Sequence, residues 1–102
     1  MQLVEFHHEG VASTAALDVK HVPAGQVVRT WAIQVVKTGT AGTSDVDLYG
    51  SLNGTTFFKI ADHSNTSGDI TFVVDKPVRH VQVDVASLTA PDTLAIYVLG
   101  AP

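Results

Sequence analysis

The chain has 102 residues, 45% of them hydrophobic and 16% charged, a balance that gives one domain over 1–102 enough apolar side chains for a single core and excludes a disordered chain. Its net charge is −4 and its six basic residues, Lys20, Arg29, Lys37, Lys59, Lys76 and Arg79, are scattered, which argues against nucleic acid as a partner because phosphate binding needs clustered cations. The lack of cysteine removes disulfide frameworks, thiolate metal sites and thiol nucleophiles together.

The opening Met1-Gln2-Leu3-Val4-Glu5 has neither the basic region nor the apolar run of a secretory signal, and no stretch approaches the roughly 20 apolar residues of a helical membrane span. The expectation is a soluble protein made in the cytoplasm, with no membrane partner. Gln2 to His8 alternates, with Leu3, Glu5 and His7 on one side and Val4, Phe6 and His8 on the other, and predicts a first, edge-like strand. Glu9 to Ala16, rich in small residues, fits neither period and reads as a loop. Leu17 to Val22 alternates cleanly until Pro23-Ala24-Gly25 and predicts a second strand. Val27 to Lys37 reads as a long strand with Trp31, Ile33 and Val35 on one face and Ala32, Gln34 and Val36 on the other. Arg29 shares the Trp31 face and is expected at the strand's mouth, its head group in water.

A polar loop, Thr38 to Ser44, leads to Val46–Ile60, a hairpin turning at Asn53-Gly54. A two-residue turn would set Leu48 opposite Lys59 and mix apolar with charged residues on both faces. A three-residue loop, Leu52-Asn53-Gly54, with Gly54 left-handed, pairs Leu48 with Phe58, Val46 with Ile60, Asp47 with Lys59 and Tyr49 with Phe57. That register puts Val46, Leu48, Phe58 and Ile60 in the core and leaves Tyr49 and Phe57 as an outward aromatic pair beside an Asp47–Lys59 ion pair. A second polar loop, Asp62 to Gly68, precedes a strand at Ile70–Val74, which Asp75-Lys76-Pro77 turns.

Val78 to Leu88 gives the clearest alternation, Arg79, Val81, Val83 and Val85 against His80, Gln82, Asp84 and Ala86, one face core and the other polar. After the turn Ser87 to Asp92, the strand Thr93 to Leu99 is apolar on both sides, Leu94, Ile96 and Val98 on one and Ala95, Tyr97 and Leu99 on the other. Such a strand is either central in its sheet or covered by another subunit. Seven to eight short strands with no long helical period predict an all-β fold, an antiparallel β-sandwich that is jelly-roll-like.

The residues carry no catalytic signature, and no enzyme activity is expected. His80 and Asp84 are two strand steps apart, about 7 Å, too far for a direct hydrogen bond, and no Gly-x-Ser-x-Gly elbow accompanies them. His7 and His8 point to opposite faces of their strand. Asp45 and Asp47 share a face, and Asp62, Asp69 and Asp75 lie near loops; any of these acids could meet calcium, but acids at strand ends are mostly turn formers. No metal and no cofactor are therefore predicted. Seven residues stand out as interface candidates: Tyr49, Phe57, His80, Gln82, Asp84, Tyr97 and Leu99.

The run Leu48-Tyr49-Gly50-Ser51-Leu52-Asn53-Gly54-Thr55-Thr56-Phe57, followed by Phe72 to Val83 with its Pro77-Val78-Arg79-His80-Val81-Gln82-Val83, and by Ser87-Leu88-Thr89, resembles a pattern of small tailed-phage virion proteins. Those chains carry Gly-Ser-Leu-Asp-Gly-x-x-Trp/Phe, a polar loop, Pro-Val-Arg-Tyr-Val-Arg-Val and a closing strand. The pattern is also similar, more distantly, to discoidin-like galactose-binding domains. Asn53 stands for the usual Asp, Phe57 or Phe58 for Trp, His80 for Tyr and Gln82 for the second Arg, so the polar groups of a sugar site are not carried over and no ligand residue is transferred. The resemblance implies a capsid decoration or cement protein on the virion exterior, a homo-oligomer such as a trimer, with the phage major capsid protein as partner. A carbohydrate-binding module, or a neck or tail component of the same fold, is the alternative it implies.

Overall fold

In a computed structural model of the chain, residues 3–64, 70–73 and 75–102 are described, and they form nine strands: β1 (Val4–Val11), β2 (Ala15–Ala16), β3 (Lys20–His21), β4 (Thr30–Thr38), β5 (Ser44–Ser51), β6 (Phe58–Ser64), β7 (Ile70–Val73), β8 (His80–Leu88) and β9 (Thr93–Ala101). They make two antiparallel sheets, in the orders β1-β9-β4-β7 and β2-β8-β5-β6, with β3 also paired to β8. The two-residue pieces β2 and β3 lie against successive stretches of β8. Taken together they act as one interrupted strand, and the eight strands then follow jelly-roll order.

Period-two alternation explains why the sheets face each other. From one sheet come Val46, Leu48, Val81, Val83 and Val85, and from the other Trp31, Ile33, Val35, Leu94, Ile96 and Val98, all essentially free of solvent. Each such aliphatic side chain contributes about 1.5–3 kcal/mol of transfer free energy. Trp31 is the largest of them, and its indole N–H donates to the Lys76 carbonyl at 3.2 Å. Its ring lies over Gly100, the residue opposite it on β9. A Cβ at position 100 would come within 2.6 Å of the indole and 2.7 Å of Val28 Cγ1.

The edge strand expected at the start of the chain is β1, and the doubly apolar last strand is β9, central between β1 and β4. Four expectations are corrected. The segment expected as a second strand, Leu17–Val22, contributes only β3, while Glu9–Ala16, expected as a loop, supplies the end of β1 and all of β2. The long strand begins at Thr30 rather than Val27. The hairpin register differs from both candidates: Val46 faces His63, Asp47 faces Asp62, Leu48 faces Ala61, Tyr49 faces Lys59 and Gly50 faces Phe58, with a bulge between Leu48 and Tyr49.

The hairpin correction has a local cause. The Asn53 and Gly54 N–H groups donate to Ser51 Oγ at 3.2 and 3.0 Å, the Ser51 hydroxyl donates to Asn53 Oδ1 at 3.0 Å, and the Thr55 and Thr56 N–H groups donate to that same oxygen, both at 2.9 Å. Side chains thus close a longer loop from Ser51 to Phe57. Gly54 is left-handed there (φ 81°), as expected. Val46 and Leu48 are in the core and Ile60 packs against it, but Phe58, expected inside, is 71% exposed. Most of the expected loop Asp62 to Gly68, together with Gln2, Asp69 and Val74, lies outside the described residues.

Gly100→Ala is expected to lower stability by about 1–3 kcal/mol, the range for forcing atoms into a filled core, measured by urea unfolding with the slope unchanged. A neutral Gly100→Ala would mean that the Trp31 ring is not confined as described.

Candidate functional site

Strand parity divides six of the seven candidate residues between opposite outer faces of the sandwich. On the five-stranded sheet, Tyr49 stands opposite Gln82, Asp47 opposite Asp84, and Ser51 opposite His80. On the four-stranded sheet, Tyr97 stands opposite His7 on one side and Gln34 on the other, and Leu99 opposite Glu5 and Ala32. Phe57 belongs to the loop before β6 and is half-buried. The Tyr49–Phe57 pair is therefore not formed, and Tyr49 faces Lys59 instead.

The polar face is held by its own side chains. His80 Nδ1 and His21 Nδ1 are 2.5 Å apart with their rings edge to face, so one ring donates and the other accepts. Gln82 Nε2 donates to the Leu17 carbonyl at 3.0 Å. These two contacts tie the segment carrying β2 and β3 to β8. The expected ion pair of Lys59 with Asp47 is present, Nζ to Oδ2 at 3.3 Å, and reaches Asp62 Oδ2 at 3.9 Å. Asp47 is 2% exposed. Burial pushes its carboxyl up from the usual value, Lys59 pulls it down, and Asp45 and Asp62 push it up again. Among the described residues, Asp45, Asp47 and Asp62 are the group of acids close enough to share a metal ion.

The other outer face exposes apolar side chains beside Glu5, His7 and Gln34. Val36, Ile70, Tyr97 and Leu99 are 37%, 49%, 40% and 39% exposed, and His7 stacks on Tyr97 with ring centroids 5.9 Å apart. A shallow depression of about 100 Å³ lies among Glu5, His7, Ala32, Gln34, Ile70 and Tyr97. The interface candidates include Tyr97 and Leu99 there but not Ile70, nor Val36, which alternation already sets on the face of β4 away from Trp31. At the end of the sandwich beside the Ser51–Phe57 loop, an open cleft of about 500 Å³ is lined by Leu52, Asn53, Thr56, Phe58, Lys59 and Lys76, among others. Leu52 is 72% exposed there.

At the opposite end, Asp92 organises the loop after β4. The Ala41 and Gly42 N–H groups donate to its Oδ1 and Oδ2 at 2.9 and 3.1 Å, and the Lys37 ammonium lies 3.8 Å from Oδ2 and donates to the Gly42 carbonyl. The Ala41 N–H above all, then Gly42 and Lys37, hold the Asp92 carboxyl below the usual carboxylate range although burial acts against them. His8 lies half-buried on the inner side of β1, its Nε2 without a hydrogen-bond partner. Burial holds its ring below the usual value of 6.5, and Lys20 adds to the effect.

No family model matches the sequence, and no curated protein sequence matches it. Solved structures do. The crystal structure of the SPBc2 prophage-derived protein YomS superimposes with a TM-score of 0.71 over 98% of this chain and 94% of that one, at 13% identity. The module CBM32-1 from a family 31 glycoside hydrolase of Clostridium perfringens gives a TM-score of 0.57 over 91% of this chain and 74% of that one, at 16% identity. The β-sandwich is thus shared with a prophage-derived protein and with a carbohydrate-binding module, and at these identities the likeness is one of fold.

Acid is expected to weaken the fold in two windows. The unfolded His8 ring takes up a proton near 6.5 while the folded ring resists it, so stability falls as the pH drops through 6.5 toward the lower folded-state value. Asp92 stabilises the fold above 3.8, and that contribution is lost as the pH falls from 3.8 through its lower folded-state value. Urea unfolding at stepped pH should show both losses, with His8→Leu flattening the first and Asp92→Asn the second. Wild-type stability that stayed level as the pH fell through the first window would contradict the account of His8.

Proposed function

We propose that this chain is a non-enzymatic structural protein of a tailed-phage virion, a decoration or cement protein that seals the capsid exterior. The observation that carries the reading is the bare apolar outer face of the four-stranded sheet, with Val36, Ile70, Tyr97 and Leu99 exposed together. Apolar side chains exposed on one face suit a contact with another protein. The fold shared almost end to end with a prophage-derived protein supports the phage context. The molecule measures 43 × 25 × 19 Å, so part of its broad face is enough for a specific interface, which buries about 800 Å² on each partner. In this reading the chain is made in the host cytoplasm, assembles with its own copies, a trimer being the simplest arrangement, and binds the major capsid protein by burying that face. A neck or tail component would use the same surface on a different partner.

A second reading, a carbohydrate-binding module, is favoured by the cleft at the Ser51–Phe57 loop, where the exposed Phe58 ring lies beside Asn53, Thr56 and Lys76. The likeness to CBM32-1 supports it. Aromatic platforms with polar neighbours suit sugar rings, which are apolar on one face and polar at the edge.

Sedimentation of the purified chain with and without capsids of its phage separates the two. Decoration predicts an oligomer that co-sediments at near-saturating stoichiometry, and Leu99→Asp, at an exposed position, should abolish co-sedimentation without unfolding the chain. A strict monomer that ignores capsids would overturn it, and glycan-array binding lost in Phe58→Ala would establish the second reading instead.

A further inference from the structure

We propose that Asp45, Asp47 and Asp62 form a calcium site on the outer face of the five-stranded sheet, a site independent of the function proposed above. Strand geometry brings the three acids together. Asp45 and Asp47 are two residues apart on β5 and so share a face, and Asp62 faces Asp47 across the β5–β6 ladder. One carboxylate oxygen from each lies within 4.8 Å of the others. Calcium takes oxygen ligands at about 2.3–2.6 Å, so two of its ligands stand at most about 5 Å apart, and the three donors lie within that span.

The observation that turns a group of acids into a site is Asp47 itself. It is 2% exposed, and its Oδ1 is buried with no hydrogen-bond partner. A buried carboxylate oxygen left without a donor is unfavourable by some 1–3 kcal/mol or more, and like charges facing one another across strands add to this. Asp84 also stands opposite Asp47, on β8, so the carboxylate has an acid as its neighbour on each flanking strand. Lys59 meets only part of that charge. Its ammonium contacts Asp47 Oδ2 and approaches Asp62 Oδ2, which leaves Asp47 Oδ1 unserved. A divalent ion bound at Oδ1 would give that oxygen the partner it lacks.

The donor set selects the metal. Three carboxylates with no nitrogen or sulfur ligand favour hard cations. The spread of the donors suits the larger, geometrically tolerant calcium over magnesium, which requires near-octahedral oxygens at about 2.0–2.1 Å. Water would complete the shell on the Asp62 side, where that side chain is 52% exposed. Lys59, itself 45% exposed, competes with the ion and can swing into solvent when it binds. The affinity expected for three carboxylates with a competing ammonium is at the weak end of the calcium range, a Kd of about 0.1–1 mM.

The test titrates the purified full chain with calcium chloride, following the thermal unfolding temperature, and with terbium, following luminescence sensitised by Tyr49, the next outward residue on β5. The expected result is a rise in unfolding temperature with calcium, a smaller one with magnesium, and a terbium signal that calcium displaces. Asp62→Asn, at an exposed position where folding is not at stake, should weaken binding at least about tenfold, the scale on which even an outer-shell partner acts. Asp47→Asn should abolish it, and Lys59→Ala should tighten it. No response to calcium at about 10 mM, ten times the weak limit above, in both the wild type and Lys59→Ala overturns the proposal. So does a response that is the same in Asp62→Asn as in the wild type, which would be a general salt effect.

Discussion

The fit of the Trp31 indole into the space left by Gly100 is the constraint from which the rest of the sandwich takes its dimensions. An indole occupies the gap between two sheets only if the strand beneath it offers no side chain at that point, and β9 offers none. The Trp31 N–H then finds the Lys76 carbonyl, which ties the segment entering β8 to the four-stranded sheet. With the ring fixed, inward and outward positions on β4 and β9 are settled for their whole length, since a slip by one residue would turn every side chain over. The bare outer face that carries Tyr97 and Leu99 is thus a by-product of how the core is filled.

Much of this was legible in the sequence. Val81, Val83 and Val85, and Leu94, Ile96 and Val98, announce their strands and their buried faces through simple alternation. The two apolar sides of the last strand offer a central position or a covering subunit, and the sheet order gives it the central position. What alternation alone does not show is where pairing begins. Both registers considered for the hairpin assume that the turn lies at Asn53-Gly54 and that Phe58 seeks the core. Ser51 and Asn53 instead use their side chains to cap four backbone N–H groups, and the bulge at Leu48–Tyr49 restores Leu48 and Ala61 to one inner face. Phe58 is left outside as the consequence. The Asp47–Lys59 ion pair survives because Lys59, opposite Tyr49, is only a diagonal step from Asp47.

The acids were visible as residues but not as a group. Asp45 and Asp47 share a face by parity, yet Asp62 joins them only once the register is known, and nothing in composition distinguishes a buried carboxylate from a turn former. The two outer faces consequently differ in character: one is polar, charged and internally hydrogen-bonded, the other apolar and open. Apolar contacts and contacts with polar groups would therefore fall on opposite sides of the molecule.

The margins of the sheets bear on how such contacts can form. β1 has a register irregularity between His8 and Val11, β7 is four residues long, β2 is two, and β6 carries Lys59 and Asp62. Broken, short or charged margins discourage a neighbouring chain from extending a sheet. A neighbouring strand is thus kept from prolonging either sheet, so that open-ended fibrous growth is disfavoured by the same margins that close the sandwich.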